Sequence, residues 1–313
     1  MYTVLLPLIL IIVLMIRGLT LPGAIEGLRY YLTPDFGKLR DPRVWIEAYA
    51  QIFFSLSVAM AVLICYASHK PQNSDATNNA FIISFANCGT SFLCGLVVFS
   101  VLGYLAQATG VSFEEIAGSG IGLAFVTVPA AINKIPFVPA FFGVVFFATL
   151  LTLAVDSAFS LVEAGAGALM DKWGFKRGHA TLIACAIPFF VGLLFCTRGG
   201  LYWLDIVDHW ICDYGFVPIA FSEVIIIGYI FGAKKLRSFL NSVSEIKTGL
   251  WWDVMIKFII PVILGALILL YLIEEFKGPY GGYPGWALGL GGWAVVIGIF
   301  LFSFVLMKHR GAR

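Results

Sequence analysis

Residues 152–163 read T-L-A-V-D-S-A-F-S-L-V-E, which sets two carboxylates, Asp156 and Glu163, inside an apolar run over 139–170. Such a run is long enough to cross a ~30 Å hydrocarbon core as a helix. A charged side chain at the centre of that helix costs on the order of 2.5–3.5 kcal/mol on insertion scales, so it must face a partner, a cavity or an ion. Asp156 and Glu163 are seven residues apart, two helical turns, and share a face. With the Ser157 hydroxyl and a freed backbone carbonyl, Asp156 supplies the hard oxygen ligands an alkali cation requires. A protonated structural carboxyl is the competing explanation.

The rest of the chain has the same apolar character: 60% of its 313 residues are hydrophobic and 12% charged. A soluble globule of this length cannot hide that composition, so the bilayer is the expected solvent. Apolar runs at 3–19, 44–67, 78–106, 139–170, 179–197, 203–231, 253–273 and 286–307 predict an all-α membrane protein of about eight transmembrane helices. The first run lacks a basic n-region and a small-residue cleavage site and ends on Arg17, so it reads as a spanning helix rather than a cleaved signal. The amphipathic, turn-rich stretch from Gly18 is expected on the outer surface. A short external helical hairpin is expected over 107–139, with Ser112 and Glu115 as a capping box.

A net charge of +2 points to no nucleic-acid partner. Lys70, Lys172, Lys176, Arg177, Lys234 and Lys235 collect on one side of these spans, with Arg310 and Arg313 at the end. This places both termini in the cytoplasm of a multi-pass cell-membrane protein. The first external loop, with Arg29, Lys38, Arg40 and Arg43, runs against that orientation. The six cysteines lie mostly inside apolar runs with neither C-x-x-C nor Cys/His ligand spacing, so they read as small packing residues.

A second constellation pairs Gln51 with Ser55 and Asn87 with Ser91, each pair one helical turn apart. These neutral donor-rich faces either converge on a small anion or serve polar helix–helix packing. Phe54, Ser57 and Met60 beside them are candidates to line an organic-solute pocket. Asp205 and Asp208 stand at a helix entrance, Asp208 as a candidate partner for a cation across a vestibule. Glu223 lies deeper and demands a partner, and Lys257 is placed to snorkel. No Walker A, H-E-x-x-H or G-x-S-x-G motif is present, which lowers the expectation of an enzyme.

Taken together, L-P-G-A-I-E-G-L-R-Y-Y-L-T-P-D-F-G-K-L (21–39), D-P-R-V-W-I-E-A-Y-A-Q-I-F-F-S-L-S (41–57), N-C-G-T-S-F (87–92), G-I-G-L-A-F-V (120–126), L-T-L-A-V-D-S-A-F (151–159) and G-G-L-Y (199–202) resemble the neurotransmitter:sodium symporter family. The resemblance spans the chain and implies the family's fifth to twelfth helices, an incomplete leucine-transporter-type inverted-repeat fold. It reads 1–313 as one polytopic domain: a helix at 3–19, the second repeat at 43–232, and two C-terminal helices at 250–308. Ligands in this family sit between half-unwound first and sixth helices.

The resemblance further implies Ser55 and Asn87 as ligands of a first sodium ion, and Leu153, through its carbonyl, with Asp156 and Ser157 as ligands of a second. Gln51, Ser55, Asn87 and Ser91 match the chloride site, where the neutral Ser91 leaves room for the anion. Phe54, Ser55, Ser57, Met60, Ser157 and Leu161 would line the substrate pocket. Phe54 and Asp208 would serve the outer gate and Asp171 the inner one. Ala61 stands where many relatives carry glycine, and His69 where an inner-gate tyrosine is common.

The implied activity is sodium-coupled, chloride-dependent symport of amino acids or related small zwitterions by alternating access, with no organic cofactor. The implied partners are the bilayer, the solute, the absent N-terminal helices in cis or in trans, and a second copy in a homodimer. One rival is a truncated or split gene product that does not transport alone. The other is a membrane-embedded enzyme using Asp156 and Glu163 for acid–base work.

Overall fold

The computed structural model describes residues 2–116 and 122–308, and all regular structure among them is helical. In chain order the elements are α1 (Tyr2–Leu19), α2 (Ala24–Leu32), α3 (Pro42–Ser55), α4 (Val62–Ser68) and α5 (Ala76–Thr109). After them come α6 (Leu123–Asn133), α7 (Pro139–Trp173), α8 (Arg177–Phe195) and α9 (Gly200–Val243). The last two are α10, made of Leu250–Val254, Met255–Ile259 and Ile260–Lys277 in series, and α11 (Gly285–Lys308). The hairpin expected over 107–139 includes 117–121, which lie outside the described residues. What is described of it is one turn at Phe113–Ile116 and α6.

Six helices, α5 and α7 to α11, are individually long and apolar enough to cross a membrane, against the eight spans read from the sequence. The other two runs bend or break. α1 turns by 113° into the segment 24–40. The run 44–67 is divided into α3 and α4 by a non-helical stretch, Leu56–Ala61, in which Ser57, Ala59 and Ala61 have φ of 52°, 62° and 60°. Left-handed backbone at three non-glycine residues costs roughly 1–2 kcal/mol each, and it ends the helical ladder whatever the hydropathy.

Local chemistry sets the element ends. Asp41 caps α3 by accepting the Arg43 N–H at 3.0 Å, with Pro42 at the first helical position. Asp75 caps α5 in the same way, accepting the Asn78 N–H at 2.9 Å. Three widened π-helical segments, Leu123–Thr127, Trp210–Phe216 and Met255–Ile259, each end two residues before a proline, Pro129, Pro218 and Pro261. A proline ring crowds the carbonyl one turn back, and a widened turn relieves that clash. Gly232, at φ 94°, breaks α9 near the end of its apolar portion.

The chain divides into two compact units, residues 1–38 with 83–159 and residues 39–82 with 160–313. In the first, Ile11, Leu14, Val101, Leu105, Ile132 and Phe146 form the core. Gly27 on α2 and Gly103 on α5 allow the two backbones to meet there: a Cβ on Gly27 would overlap the Phe99 carbonyl. In the second, Ile206, Trp210, Val217, Leu264, Leu267 and Leu288 form the core, and the Trp210 indole lies on the bare face of Gly292. Large apolar side chains such as Val144, Leu182, Phe190 and Leu301 remain exposed, as a lipid-facing surface requires.

Candidate functional site

The break between α3 and α4 carries the first group of candidates. Gln51, Phe54 and Ser55 occupy the last turns of α3, and Ser57 and Met60 lie in the non-helical stretch. There the regular ladder gives way to shorter and longer bonds: Ser57 N–H to the Phe54 carbonyl at 3.1 Å, Val58 to Phe53 at 3.0 Å and Met60 to Ser57 at 3.4 Å. Backbone amides and carbonyls turned out of a helix inside a membrane protein are the groups that transporters aim at ions and solutes. Phe54 is exposed, while Ser55, Ser57 and Met60 are half-buried.

Leu153, Asp156, Ser157 and Leu161 follow one face of α7 at helical spacing, with Asp156 half-buried and Ser157 exposed. α7 is regular across this stretch, so the Leu153 carbonyl lies within the helical ladder rather than freed from it. Its second lone pair is what it has for a cation. The donors fit sodium chemically, a carboxylate, a hydroxyl and a carbonyl being hard oxygen ligands. Asn87 and Ser91 lie one turn apart on α5, Asn87 half-buried and Ser91 exposed. These two belong to the first compact unit and Gln51 with Ser55 to the second; each pair keeps its one-turn spacing.

Glu163 finds its partner outside its own helix. Both of its carboxylate oxygens accept from Arg177 Nη2 at 3.0 Å, and His69 Nε2 stands 3.9 Å from one of them. α4 packs along this part of α7, with Tyr66 and Ser160 sharing a hydroxyl hydrogen bond at 2.9 Å and Cys65 donating to the Glu163 carbonyl at 3.6 Å. Glu163 is therefore tied to Arg177, not held in reserve beside Asp156. Asp171 is exposed near the end of α7. At the start of α5, the Asp75 carboxylate accepts the Glu245 N–H at 2.8 Å as well as that of Asn78, and these two backbone donors hold its pKa below the usual carboxylate range.

At the start of α9, Asp208 accepts from Cys212 Sγ at 3.6 Å. Its neighbours Asp205 and His209 make the stronger contacts, with tyrosines of the turn before α11. Sequence reading passed over His209, although the H-x-x-x-D spacing to Asp213 signals a contact on one helical face. Among the described residues no group of three His, Cys, Asp or Glu side chains is arranged to hold a metal ion.

A family model for the sodium:neurotransmitter symporters matches residues 1–310. The chain belongs to this family. An uncharacterized sodium-dependent transporter of Methanocaldococcus jannaschii is 42% identical over 304 residues, 97% of this chain and 61% of the relative. The sodium- and chloride-dependent taurine transporter of Homo sapiens is 33% identical over 309 residues, 95% of this chain and 49% of the relative. The sodium- and chloride-dependent neutral and basic amino acid transporter B(0+) of Mus musculus is 34% identical, covering 95% of this chain and 48% of the relative. The chain thus spans about half to three fifths of the length of these relatives. This is a family of multi-pass secondary transporters, and the chain has the all-α membrane fold expected of a portion of one.

Proposed function

We propose that the chain forms part of a sodium-coupled, chloride-dependent symporter for amino acids or related small zwitterions, working by alternating access in the cell membrane with both termini cytoplasmic. The observation that carries this reading is the break at Leu56–Ala61, which interrupts an apolar segment and brings backbone polar groups beside Ser55, Ser57 and Met60. In this reading Ser55 and Asn87 serve one sodium ion, and Leu153, Asp156 and Ser157 a second. Phe54, Ser55, Ser57, Met60, Ser157 and Leu161 face the solute, with Phe54 and Asp208 at the outer gate and Asp171 at the inner gate. Ion binding favours the solute-competent state because its affinity differs between the two arrangements.

Gln51, Ser55, Asn87 and Ser91 are the proposed chloride ligands: amide and hydroxyl donors present positive ends to the anion without a fixed charge. Support comes from the taurine and B(0+) relatives, which are described as sodium- and chloride-dependent. Ser91→Glu supplies a fixed negative charge in the anion's place. It should make sodium-dependent uptake independent of chloride; unchanged chloride stimulation would sink the assignment.

A second reading rests on the covered length. In it the chain acts as one portion of a transporter and does not transport alone; its match to about half the length of the taurine and B(0+) relatives favours this. Assembly with the remaining helices, in cis or in trans, then completes the site; a homodimer is the larger unit proposed.

A further inference from the structure

The turn between α10 and α11 reads K-G-P-Y-G-G-Y-P-G over 277–285. Its shape is held by Pro279 and Pro284 and by left-handed Gly281 and Gly282, at φ 57° and 69°. Two tyrosines of this turn reach the first turns of α9. The hydroxyls of Tyr280 and Tyr283 donate to the two oxygens of Asp205, at 3.3 and 2.8 Å. The Tyr280 ring lies flat on the His209 imidazole, with centroids 3.7 Å apart and planes 5° from parallel. His209 Nδ1 is in turn 2.8 Å from Asp213 Oδ2, and these two side chains are only 18% and 13% exposed. Asp205 and His209 flank Asp208, so everything that grips the turn also fixes the segment carrying that acid.

We propose that the 278–284 turn is a clamp on the Asp208 segment of α9, and that protonation of His209 tightens it. Tyr280, Tyr283, Asp205, His209 and Asp213 are positioning residues here.

Histidine is the side chain whose charge changes between about pH 5 and 8. A protonated His209 adds a cation against the electron-rich face of Tyr280 and turns a neutral hydrogen bond to Asp213 into an ion pair. Acidic groups surround it. On α9 these are Asp208 and Asp213, with Asp205 one turn back, and on α10 Glu275 lies within electrostatic range. Glu274 is taken up by Arg43 of α3 and by Lys277, and Glu47 of α3 stands near Tyr271. The aromatic groups on the imidazole are Trp210, Tyr214 and Tyr280. The clamp is therefore tighter with His209 protonated than with it neutral.

The clamp rests on these contacts and on the charge of His209, whereas its consequence for transport rests on reading Asp208 as the outer-gate acid. The test is amide hydrogen exchange of the full chain in lipid nanodiscs at pH 5.5 and pH 8, corrected for the intrinsic pH dependence of exchange. Wild type should exchange in 278–284 and 203–209 about two- to fivefold more slowly at pH 5.5, the range set by a cation on an aromatic face. His209→Phe keeps a ring on Tyr280 and loses the titration, so the step should vanish. If that variant does not fold because Asp213 is orphaned, the double variant His209→Phe/Asp213→Asn gives the same readout. An equal step in these variants, or no step in wild type, overturns the clamp. Uptake by the transporter assembled from this chain and a relative's N-terminal helices gives the second readout. If the step is present but His209→Phe leaves the pH profile of uptake unchanged, the clamp stands and the gate role of Asp208 falls.

Discussion

Replacing Ala61 by glycine should stabilise the chain. Ala61 sits at φ 60° and ψ −7°, a left-handed conformation that places its Cβ against the following carbonyl at a cost of about 1–2 kcal/mol. Glycine removes that cost but brings about 0.4–1 kcal/mol of extra freedom to the unfolded chain. The difference leaves roughly 0.5–1 kcal/mol in favour of Ala61→Gly. Ala61 is exposed, so the lost methyl removes no core packing, whereas Ala59 packs against the second core and is a poorer site for the same change. The control is Ala67→Gly, also exposed but within right-handed α4, where glycine costs about 1 kcal/mol. Thermal unfolding in detergent should place Ala61→Gly about 1–3 °C above wild type and Ala67→Gly a similar amount below it. Equal destabilisation by the two substitutions would refute the claim that the break stores backbone strain.

Other consequences follow from packing and charge. Arg177→Gln removes a two-oxygen contact to Glu163 whose partners are 69% and 26% exposed, so the loss in stability should be near 1 kcal/mol. The sharper effect should be faster amide hydrogen exchange around the Gly174 turn, because Arg177 ties the start of α8 to α7; an unchanged rate would argue against that pairing. Gly27→Ala drives a methyl into the Phe99 carbonyl and should destabilise by roughly 1–3 kcal/mol. By contrast, Gly192→Ala meets open space inside α8 and should stabilise by up to about 1 kcal/mol, so a reversed order of melting would show the α2–α5 approach to be misplaced. Asp75 has a depressed pKa in the folded chain, so its contribution is present above its unfolded value and is lost as pH falls through the folded one. Protection of the Glu245 amide should therefore fall in acid, and Asp75→Asn should lack that acid-dependent loss.

The long helices were legible because lipid imposes one rule, an unbroken apolar run. The stretches 78–106, 139–170, 179–197 and 286–307 correspond to α5, α7, α8 and α11 within a few residues at each end. The break at 56–61 was not legible from hydropathy, since Ser57, Ala59 and Ala61 carry no glycine to announce a left-handed backbone. Only the resemblance to a family with half-unwound helices pointed to it. The 113° turn between α1 and α2 was read as a surface loop because its helical continuation is short and amphipathic. Asp156 and Glu163 were recognised together as buried-acid candidates, but their different surroundings depend on pairings the sequence does not spell out. Arg177 comes from the next helix, across the Gly174 turn, and reaches Glu163 only because α7 and α8 run back along each other. The tyrosines on Asp205 and His209 come from more than seventy residues away, beyond the reach of any local pattern.

The central proposal is that this chain supplies part of a sodium-coupled solute site, with Asp156 among its ligands. It is tested most directly by sodium-dependent binding of mixed radiolabelled amino acids to the purified chain, alone and reconstituted with a relative's N-terminal helices, with and without chloride. The account predicts binding only in the reconstituted sample, requiring sodium, strengthened by chloride and lost in Asp156→Ala. Binding that persists in Asp156→Ala, or that is indifferent to sodium, would contradict it.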